Sequence, residues 1–225
     1  MTDQDNFKKI LPLLTRVGIE VTGEQAGALT AYGALLKKWN ERIHLTGQRD
    51  RLFSHHILDC AMAVLPPLAT KAQRAVDIGS GAGLPGVVLA VLRPELEVET
   101  LDTSAKKISF LQAVKGAFKL TNLTPRREDV RQWMVGEGHL AYDIAVSRAF
   151  ARIGTLLPLG QALVRPGGEV WCFKGQKLAE EQAVLKPGAM DGYHSTPQTY
   201  GYDFPETGTG GVIAVYTRLK KPEGN

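Results

Sequence analysis

The chain has 225 residues, 44% of them hydrophobic, and carries a formal net charge of +4. No apolar run approaches the ~20 residues that a membrane span needs, so the composition indicates a soluble globular protein. The polar, acidic start over residues 1–6 does not resemble a secretory signal. Cys60 and Cys172 have no CxxC spacing, so we expect a reducing cytoplasm and neither a zinc cluster nor a disulfide framework. The positive charge permits a polyanionic partner, but alone it favours a slightly basic enzyme.

The first third of the chain has the pattern of helices. Apolar residues repeat at helical spacing over residues 7–17. Thr22 and Gln25 have the form of a capping box, which predicts a second helix that begins there and continues to Ile43. A third helix is predicted over residues 51–64, and a pair of prolines follows it.

From about Lys71 onward, short apolar runs alternate with amphipathic stretches. Strands that alternate with helices indicate a parallel sheet with helices on both of its faces. The predicted strands are 75–78, 96–101, 122–126, 142–146 and 169–173. The predicted helices are 84–92, 104–118, 153–164 and 177–185.

The C-terminal end of the chain has a different pattern. Two extended stretches, 193–202 and 212–218, are separated by a segment too short for a helical crossover, so they should pair as antiparallel strands. A parallel sheet closed by such a pair resembles the Rossmann-like, seven-stranded sheet of class I S-adenosylmethionine-dependent methyltransferases. We therefore expect an α/β domain of this class over residues 68–225, preceded by a helical extension over residues 1–67.

The most informative segment is the glycine-rich loop over residues 76–86, which follows the first predicted strand. Open α/β sheets bind ligands at this edge, and glycines let the backbone approach a ligand closely. We assign cofactor-binding roles to the loop residues Gly79, Gly81, Gly83 and Leu84. Residues 81–86 also match the dinucleotide fingerprint GxGxxG. However, the strand ends at about Ile78, so the first glycine of a dinucleotide fingerprint should be Gly79. The third glycine of that fingerprint would then fall at position 84, which is a leucine, so the match to a dinucleotide site is weak.

Acidic residues at the ends of the predicted strands point to the same cofactor. Asp77 lies beside the loop, where a carboxylate suits the sulfonium and ammonium groups of S-adenosylmethionine better than it suits a pyrophosphate. Asp102 can accept hydrogen bonds from ribose hydroxyls, or it can cap the helix that begins at residue 104. Glu128 and Asp129 are expected beside the adenine, or else they only begin a helix.

The fourth predicted strand ends in residues 147–150, where class I methyltransferases usually place substrate-specific groups. This segment has neither the Pro-Pro-aromatic motif typical of exocyclic amine methylation nor the Pro-Cys motif of cytosine C5 methylation. It offers Ser147 and Arg148, which we predict to be catalytic, although Arg148 could equally form a surface ion pair. A ring nitrogen fits as the target, because guanine N7 already has an in-plane lone pair and needs alignment rather than a general base.

Residues from about 35 to 175 resemble, in order and in kind, the RsmG (GidB) family of bacterial small-subunit rRNA methyltransferases. The matching segments are 39–40, 44–47, 56–59, 77–86, 101–102, 106–107, 147–150 and 173–175. The resemblance implies transfer of a methyl group from S-adenosylmethionine to N7 of a guanine near the decoding site of 16S rRNA, with S-adenosylhomocysteine as the other product. The cofactor contacts that it implies are Gly79, Leu84, Glu128, Asp129 and Arg148, with Asp102 near the ribose.

Basic side chains are expected to form one RNA-binding face, although any single one is more simply a solvated charge. They are Lys37, Lys38, Arg42, Lys106, Lys107, Arg127 and Lys174. The implied partner is 16S rRNA, in the small ribosomal subunit or its assembly intermediate, and we expect a cytoplasmic monomer that contacts no membrane. His56 and Asp59 lie three residues apart on a predicted helix, which makes a local structural pair plausible.

Two alternative functions stay open at this point. An oxidoreductase with a NAD-type nucleotide cofactor would use the same loop, although no convincing hydride-transfer constellation is visible. A non-catalytic RNA-binding factor in ribosome assembly would keep the fold without turnover, and the intact glycine loop argues against it.

Overall fold

A computed structural model describes residues 3–47, 52–175 and 177–220. Within these ranges, the strands form one seven-stranded sheet in the order β3-β2-β1-β4-β5-β7-β6. The first five strands are parallel, and β7 is antiparallel to both of its neighbours. The strands are β1 (Arg74–Ile78), β2 (Glu97–Leu101), β3 (Leu123–Arg126), β4 (Tyr142–Arg148), β5 (Val164–Lys174), β6 (Gln198–Phe204) and β7 (Thr209–Thr217). This arrangement confirms the predicted parallel sheet and its antiparallel last pair.

Helices cover both faces of the sheet, as the alternating pattern predicted. They are α1 (Asp3–Arg16), α2 (Gly23–Asn40), α3 (Leu58–Ala61), α4 (Gly86–Leu92), α5 (Ala105–Phe118), α6 (Val130–Trp133), α7 (Ile153–Leu163) and α8 (Leu178–Ala183). Buried residues of α4 and α5 belong to the core on one face, and buried residues of α6 and α7 belong to the core on the other.

The N-terminal helices share a core with the sheet. Buried side chains of α1 and α2, such as Leu14 and Leu36, form one cluster with α4 and α5. The predicted capping box is present, because Gln25 N–H donates to Thr22 Oγ1 and Thr22 N–H donates to Gln25 Oε1. Tyr32 is fully buried and donates a hydrogen bond to the carbonyl of Ala82 at 2.7 Å, inside the glycine-rich loop. The boundary between residues 67 and 68 stays a prediction.

Helix α2 ends at Asn40, three residues before the predicted end. The Asn40 carboxamide binds the following loop: Nδ2 donates to Thr46 O at 2.8 Å, and Oδ1 accepts from Leu45 N at 2.7 Å. These bonds turn the chain away from the helix axis and hold the loop against the end of α2. Helix termination here depends on a side-chain contact that apolar spacing does not reveal.

The third predicted helix is helical but irregular. A π-helical turn covers Leu52–Ile57, α3 follows, and a 3₁₀ turn covers Met62–Val64. Residue 51, where the prediction began, lies outside the described residues. A π-helical turn rotates the side chains that follow it relative to a regular helix, so His56 and Asp59 do not have the standard spacing assumed from sequence.

Strand β5 begins earlier than predicted, at Val164 rather than 169. The register between β4 and β5 jumps from Tyr142↔Val164 to Ile144↔Glu169, so the Pro-Gly-Gly segment forms an irregularity inside the strand. Gly167 has a φ of +82°, a left-handed conformation that glycine adopts easily and that occurs in β-bulges. The prediction therefore began this strand five residues too late, because it did not allow for an irregularity at residues 166–168 within the strand.

The sequence also raised the questions of a membrane span, a disulfide and a metal site. None of the helices within residues 3–47, 52–175 and 177–220 is long and apolar enough to cross a membrane. Cys60 and Cys172 are both free and buried. In the same described ranges, no group of three His, Cys, Asp or Glu side chains is placed to hold a metal ion.

Candidate functional site

The glycine-rich loop joins β1 to α4, and three of its glycines have left-handed backbones. Gly79, Gly81 and Gly83 have φ values of +68°, +57° and +86°, which residues with a Cβ rarely adopt. A Cβ at Gly79 would lie 2.2 Å from Phe150 Cδ2. A Cβ at Gly83 would lie 2.4 Å from Val87 Cγ2, whereas at Gly81 the nearest atom would be 3.9 Å away. The loop therefore faces open space at Gly81 and packs tightly at the other two glycines.

Asp77 lies beneath this loop and is fully buried. Its Oδ2 accepts a hydrogen bond from the Gly86 N–H at 2.9 Å, which ties the strand end to the start of α4. Its Oδ1 has no hydrogen-bond partner among the described residues. Burial, aided by the charge of Asp102 and opposed by the Gly86 hydrogen bond, raises the pKa of Asp77 to about 7. A cation bound above the loop would favour the ionised carboxylate.

Asp102, which directly follows β2, connects the glycine-rich loop to the turn before α5, and its contact with a ribose stays a prediction. Its Oδ1 accepts from Ser104 N–H at 2.9 Å in the turn that leads into α5, whose N-cap position is Ser104 and not Asp102 as predicted. Its Oδ2 accepts from Gly81 N–H and from Lys107 Nζ, each at 3.1 Å. The carboxylate thus connects the glycine-rich loop to the neighbouring strand. It also lines the adjacent cleft.

A cleft of about 470 Å³ opens at the carboxyl ends of β1, β2 and β3. This volume falls within the range of small-molecule sites. Among its lining residues are Gly79, Asp102, Lys107, Glu128, Asp129 and Phe150. The structure therefore brings together four of the residues predicted to bind the cofactor. One of these four, Asp129, also caps α6 by accepting from Arg131 N–H at 2.8 Å. Two other predicted residues, Asp77 and Leu84, are buried behind the loop.

Arg148, the last residue of β4, is held by groups from the irregular helical segment. Its Nε donates to Asp59 Oδ2 at 2.6 Å, and its Nη2 lies 3.0 Å from His56 Nδ1. Tyr202 of β6 donates from its hydroxyl to Asp59 Oδ1. The side chains of Arg148 and Asp59 are only 17% and 13% exposed, so this is a well-shielded ion pair and not the surface pair considered from sequence. His56 and Asp59 share Arg148 as their partner.

The tautomer of His56 follows from its two neighbours. A guanidinium only donates, so Nδ1 of His56 must accept and the ring must be neutral. Burial, together with the charges of Arg148 and His55, lowers the pKa of His56 to about 4. The remaining proton lies on Nε2, which donates to Thr46 Oγ1 at 2.6 Å. A chain of contacts thus links the loop after α2 to Arg148.

Arg148 lines a second cavity, of about 650 Å³, rather than the first cleft. This cavity is bounded by the ends of β4 and β5 and by the β6–β7 hairpin, through Phe173, Lys174 and Tyr202 among others. Ala149 lines both the cleft and the second cavity. Its φ of +60° is strained for a residue with a Cβ, and such strain clusters at functional sites. The two cavities therefore meet at the turn after β4.

Ser147 is buried, and its hydroxyl donates to the carbonyl of Ile78 at 3.1 Å. The bond joins the ends of β4 and β1 just before the glycine-rich loop. The structure thus gives Ser147 a positioning contact, and its catalytic role stays a prediction.

The basic residues predicted to bind RNA differ in exposure and in their partners. Lys38, Arg42, Lys106 and Arg127 are exposed. The end of α2 and the first half of α5 are adjacent, because the rings of Trp39 and Phe110 lie 5.6 Å apart. Lys107 and Lys174 instead form ion pairs inside the cleft and the second cavity, with Asp102 at 3.1 Å and Glu181 at 2.9 Å. Lys37 is intermediate, with Nζ 5.3 Å from the centre of the Phe53 ring.

Sequence reasoning missed Thr46, Tyr202 and Phe150. Tyr202 lies 143 residues from Asp59 in the chain, so no local pattern connects them. Thr46 and Phe150 fall in segments that carried the family resemblance, 44–47 and 147–150, which was the available signal.

Solved structures share this fold. A putative O-methyltransferase from Klebsiella pneumoniae is 15% identical with a TM-score of 0.58, covering 96% of this chain and 99% of that chain. The O-methyltransferase from Bacillus cereus, determined in complex with SAH, is 13% identical with a TM-score of 0.58, covering 96% and 100%. The sheet order and its antiparallel last pair define the class I S-adenosylmethionine-dependent methyltransferase fold, which confirms the predicted fold class.

Sequence relatives narrow this class. The family described as GidB, rRNA small subunit methyltransferase G, matches residues 25–191. Ribosomal RNA small subunit methyltransferase G of Burkholderia thailandensis is 40% identical over 180 residues, which are 77% of each chain. The protein of the same name from Chromohalobacter salexigens is 39% identical over 176 residues, covering 77% of this chain and 81% of that one. The chain belongs to the GidB family, which confirms the resemblance and supports methyltransferase activity rather than either alternative function.

Proposed function

We propose that this protein transfers a methyl group from S-adenosylmethionine to N7 of a guanine in 16S rRNA, in the decoding region of the small ribosomal subunit. The observation that carries the proposal is the family match over residues 25–191, which includes the whole glycine-rich loop and the cleft beside it. The relatives' shared name supports small-subunit rRNA as the substrate.

The residues of the cleft fit the cofactor. Gly81 leaves the space above the loop open, and Asp102 presents a carboxylate at the adjoining strand end for ribose hydroxyls. Glu128 and Asp129 would face the adenine. The buried Asp77 carboxylate, with an oxygen that lacks a partner among the described residues, would attract the cationic end of the molecule. When bound, S-adenosylmethionine supplies an electrophilic methyl group on a sulfonium.

The chemistry around Arg148 supports a target that needs no general base. His56 is neutral, but its accepting nitrogen is occupied by Arg148 and its proton by Thr46. Asp59 is occupied by Arg148 and Tyr202, and the Ser147 hydroxyl by Ile78 O. These groups hydrogen-bond to one another or to the backbone, so none of them is placed to accept a proton from a substrate. Guanine N7 already has its lone pair, so orientation is the main requirement.

The proposal also includes the contacts with rRNA, the role of Arg148 and the state of the enzyme in the cell. The exposed Lys38, Arg42, Lys106 and Arg127 would contact rRNA phosphates around the cleft. We propose that Arg148 orients the acceptor base or the methionine carboxylate from the second cavity. A cytoplasmic, monomeric enzyme stays a prediction, which sedimentation of the purified protein would test for the oligomeric state.

The test is mass mapping of modified guanosines in small-subunit rRNA, with and without this gene. The expected result is the loss of one 7-methylguanosine from 16S rRNA and its return when the gene is restored. The matched control is restoration with a Gly81→Asp variant, which should not return the modification. Survival of every 7-methylguanosine in the deletion strain would overturn the proposed substrate.

A further inference from the structure

Phe150 is an exposed aromatic ring that lines the cleft beside the glycine-rich loop. It is 42% exposed, although large apolar side chains are normally buried. The described residues contain three other large apolar side chains that are exposed, namely Val135, Val184 and Leu219. Of these four, Phe150 is the one that lines the cleft beside the glycine-rich loop. Aromatic side chains commonly line ligand-binding clefts, so the ring is placed to contact a molecule bound there.

The backbone around Phe150 fixes where its ring lies. The ring packs so closely on Gly79 that any Cβ there would clash with it, at 2.2 Å from Cδ2 and 2.8 Å from Cγ. The preceding residue, Ala149, has the strained φ of +60° and lines both cavities. The ring is therefore held next to the first glycine of the loop, where the cleft opens toward the second cavity.

We propose that Phe150 is a catalytic residue whose ring face stacks on the acceptor purine and stabilises the positive charge that methylation places on it. This inference rests on the proposed function. The N7 lone pair forms the new bond to the methyl carbon, and the carbon–sulfur bond breaks with its electron pair left on sulfur. The sulfonium becomes a neutral thioether, the purine becomes a cation, and no proton moves.

An aromatic face is suited to this change of charge. Its quadrupole attracts a cation held over the ring, so the contact strengthens as charge passes from sulfur to the base. An interaction that is stronger in the transition state than in the ground state raises kcat rather than only lowering KM. The nearest fixed cation of β4, Arg148, is paired with Asp59, which limits its repulsion of a cationic base.

The test replaces Phe150 with mono-, di- and trifluorophenylalanine, which withdraw electron density from the ring face while nearly keeping its shape. Small ribosomal subunits from a strain that lacks the gene are the substrate. We expect kcat to fall stepwise with each fluorine, to fall about two- to thirty-fold for Phe150→Leu, and to be retained by Phe150→Trp. Leu219→Ala, at a residue with nearly the same exposed fraction, is the control and should keep wild-type kcat.

Binding gives a second readout that does not depend on turnover. Methylated subunits from the wild-type strain carry the cationic base, whereas subunits from the deletion strain carry the neutral one. With S-adenosylhomocysteine present, wild-type protein should prefer methylated subunits more strongly than Phe150→Leu does. Calorimetry of S-adenosylmethionine binding should give the same Kd for both proteins.

The possible failures are distinguishable. If wild-type protein does not methylate these subunits, the proposed function falls and the role of Phe150 falls with it. If wild-type protein is active but kcat does not change along the fluorinated series, only the role of Phe150 is overturned. A Phe150→Leu variant with weakened S-adenosylmethionine binding and unchanged kcat would also overturn it, because the ring would then pack on the cofactor.

Discussion

Arg148 and Asp59 lie 89 residues apart in the sequence, yet Arg148 Nε donates to Asp59 Oδ2 at 2.6 Å in a pair that is mostly shielded from solvent. The pair joins the end of β4 to the helical segment that precedes the sheet. Removal of one partner from a shielded ion pair leaves the other charge uncompensated, so the pair should be sensitive to substitution on either side.

Arg148→Ala should lower kcat for subunit methylation by about 100-fold or more, which at ~1.4 kcal/mol per factor of ten corresponds to loss of a charge-assisted contact. Arg148→Lys keeps the charge but has no second nitrogen for His56, so it should recover only part of the activity. Steady-state kinetics with both variants checks this. Wild-type turnover by Arg148→Ala would remove Arg148 from the site.

Two substitutions of His56 should separate its two hydrogen bonds. Asn places an oxygen near the position of Nδ1, which accepts from Arg148, whereas Gln places a polar atom near Nε2, which contacts Thr46. We expect His56→Asn to keep most of the activity and His56→Gln to lose about tenfold, on the scale of ~1.4 kcal/mol for one hydrogen bond to a charged group. The reverse order would show that the contact with Thr46 matters more.

Gly81→Asp should abolish measurable cofactor binding while the protein stays folded. The built Cβ meets no atom closer than 3.9 Å, so the new side chain enters open space and adds a negative charge next to Asp102. Gly81→Asn is the matched control, because Asn also tolerates the left-handed φ of +57° but carries no charge. Calorimetry with S-adenosylmethionine should show weaker binding for Asn and none for Asp. Unchanged affinity in both would count against the loop assignment.

Asp77→Asn should stabilise the cofactor-free protein above pH 7 and weaken cofactor binding. The pKa of Asp77 rises from 3.8 to about 7 on folding, so its stabilising contribution is complete below pH 3.8 and is lost as pH rises through 7. Asn cannot ionise and avoids this loss, which at ~1.4 kcal/mol per pKa unit is on the order of a few kcal/mol. The loss accumulates between pH 3.8 and 7, so denaturant unfolding should show a clearly larger difference at pH 8 than at pH 5.

The titration of His56 does not obscure this measurement. Its pKa falls from 6.5 to about 4 on folding, so the stability it contributes is present above pH 6.5 and is lost as pH falls toward 4. The two groups thus have opposite pH dependence below pH 6.5. At pH 8 the His56 contribution is the same in both proteins and only that of Asp77 differs, so a variant no more stable than wild type at pH 8 would contradict the raised pKa.

Much of the fold could be predicted because its signals are local. Alternating apolar runs placed the strands to within about five residues, and the short connection before Val212 predicted the antiparallel pair. The misjudged details depend on longer-range contacts. Asn40 ends α2 by binding a loop, and the Pro-Gly-Gly segment continues β5 because β4 accepts a bulge there. Periodicity records which side chains face a core but not such hydrogen bonds.

In the candidate site, too, local signals were predictable and long-range contacts were not. The loop and Asp102 could be predicted, because glycines and a strand-end carboxylate occupy fixed positions in this fold. The environment of Arg148 could not, since Asp59 and Tyr202 come from segments far apart in the chain. The role of Phe150 could not be inferred from sequence, because it depends on the exposure of its ring in the folded protein.

The hydrogen bond from Tyr32 to Ala82 O, within a core shared by α2 and the sheet, has a consequence for inheritance. A substitution in α2 that displaces Tyr32 would disturb the backbone of the glycine-rich loop without touching the site. Inactivating alleles should therefore be spread along the first 70 or so codons as well as around the cleft. Random mutagenesis with selection for loss of rRNA modification would recover both groups from a single screen.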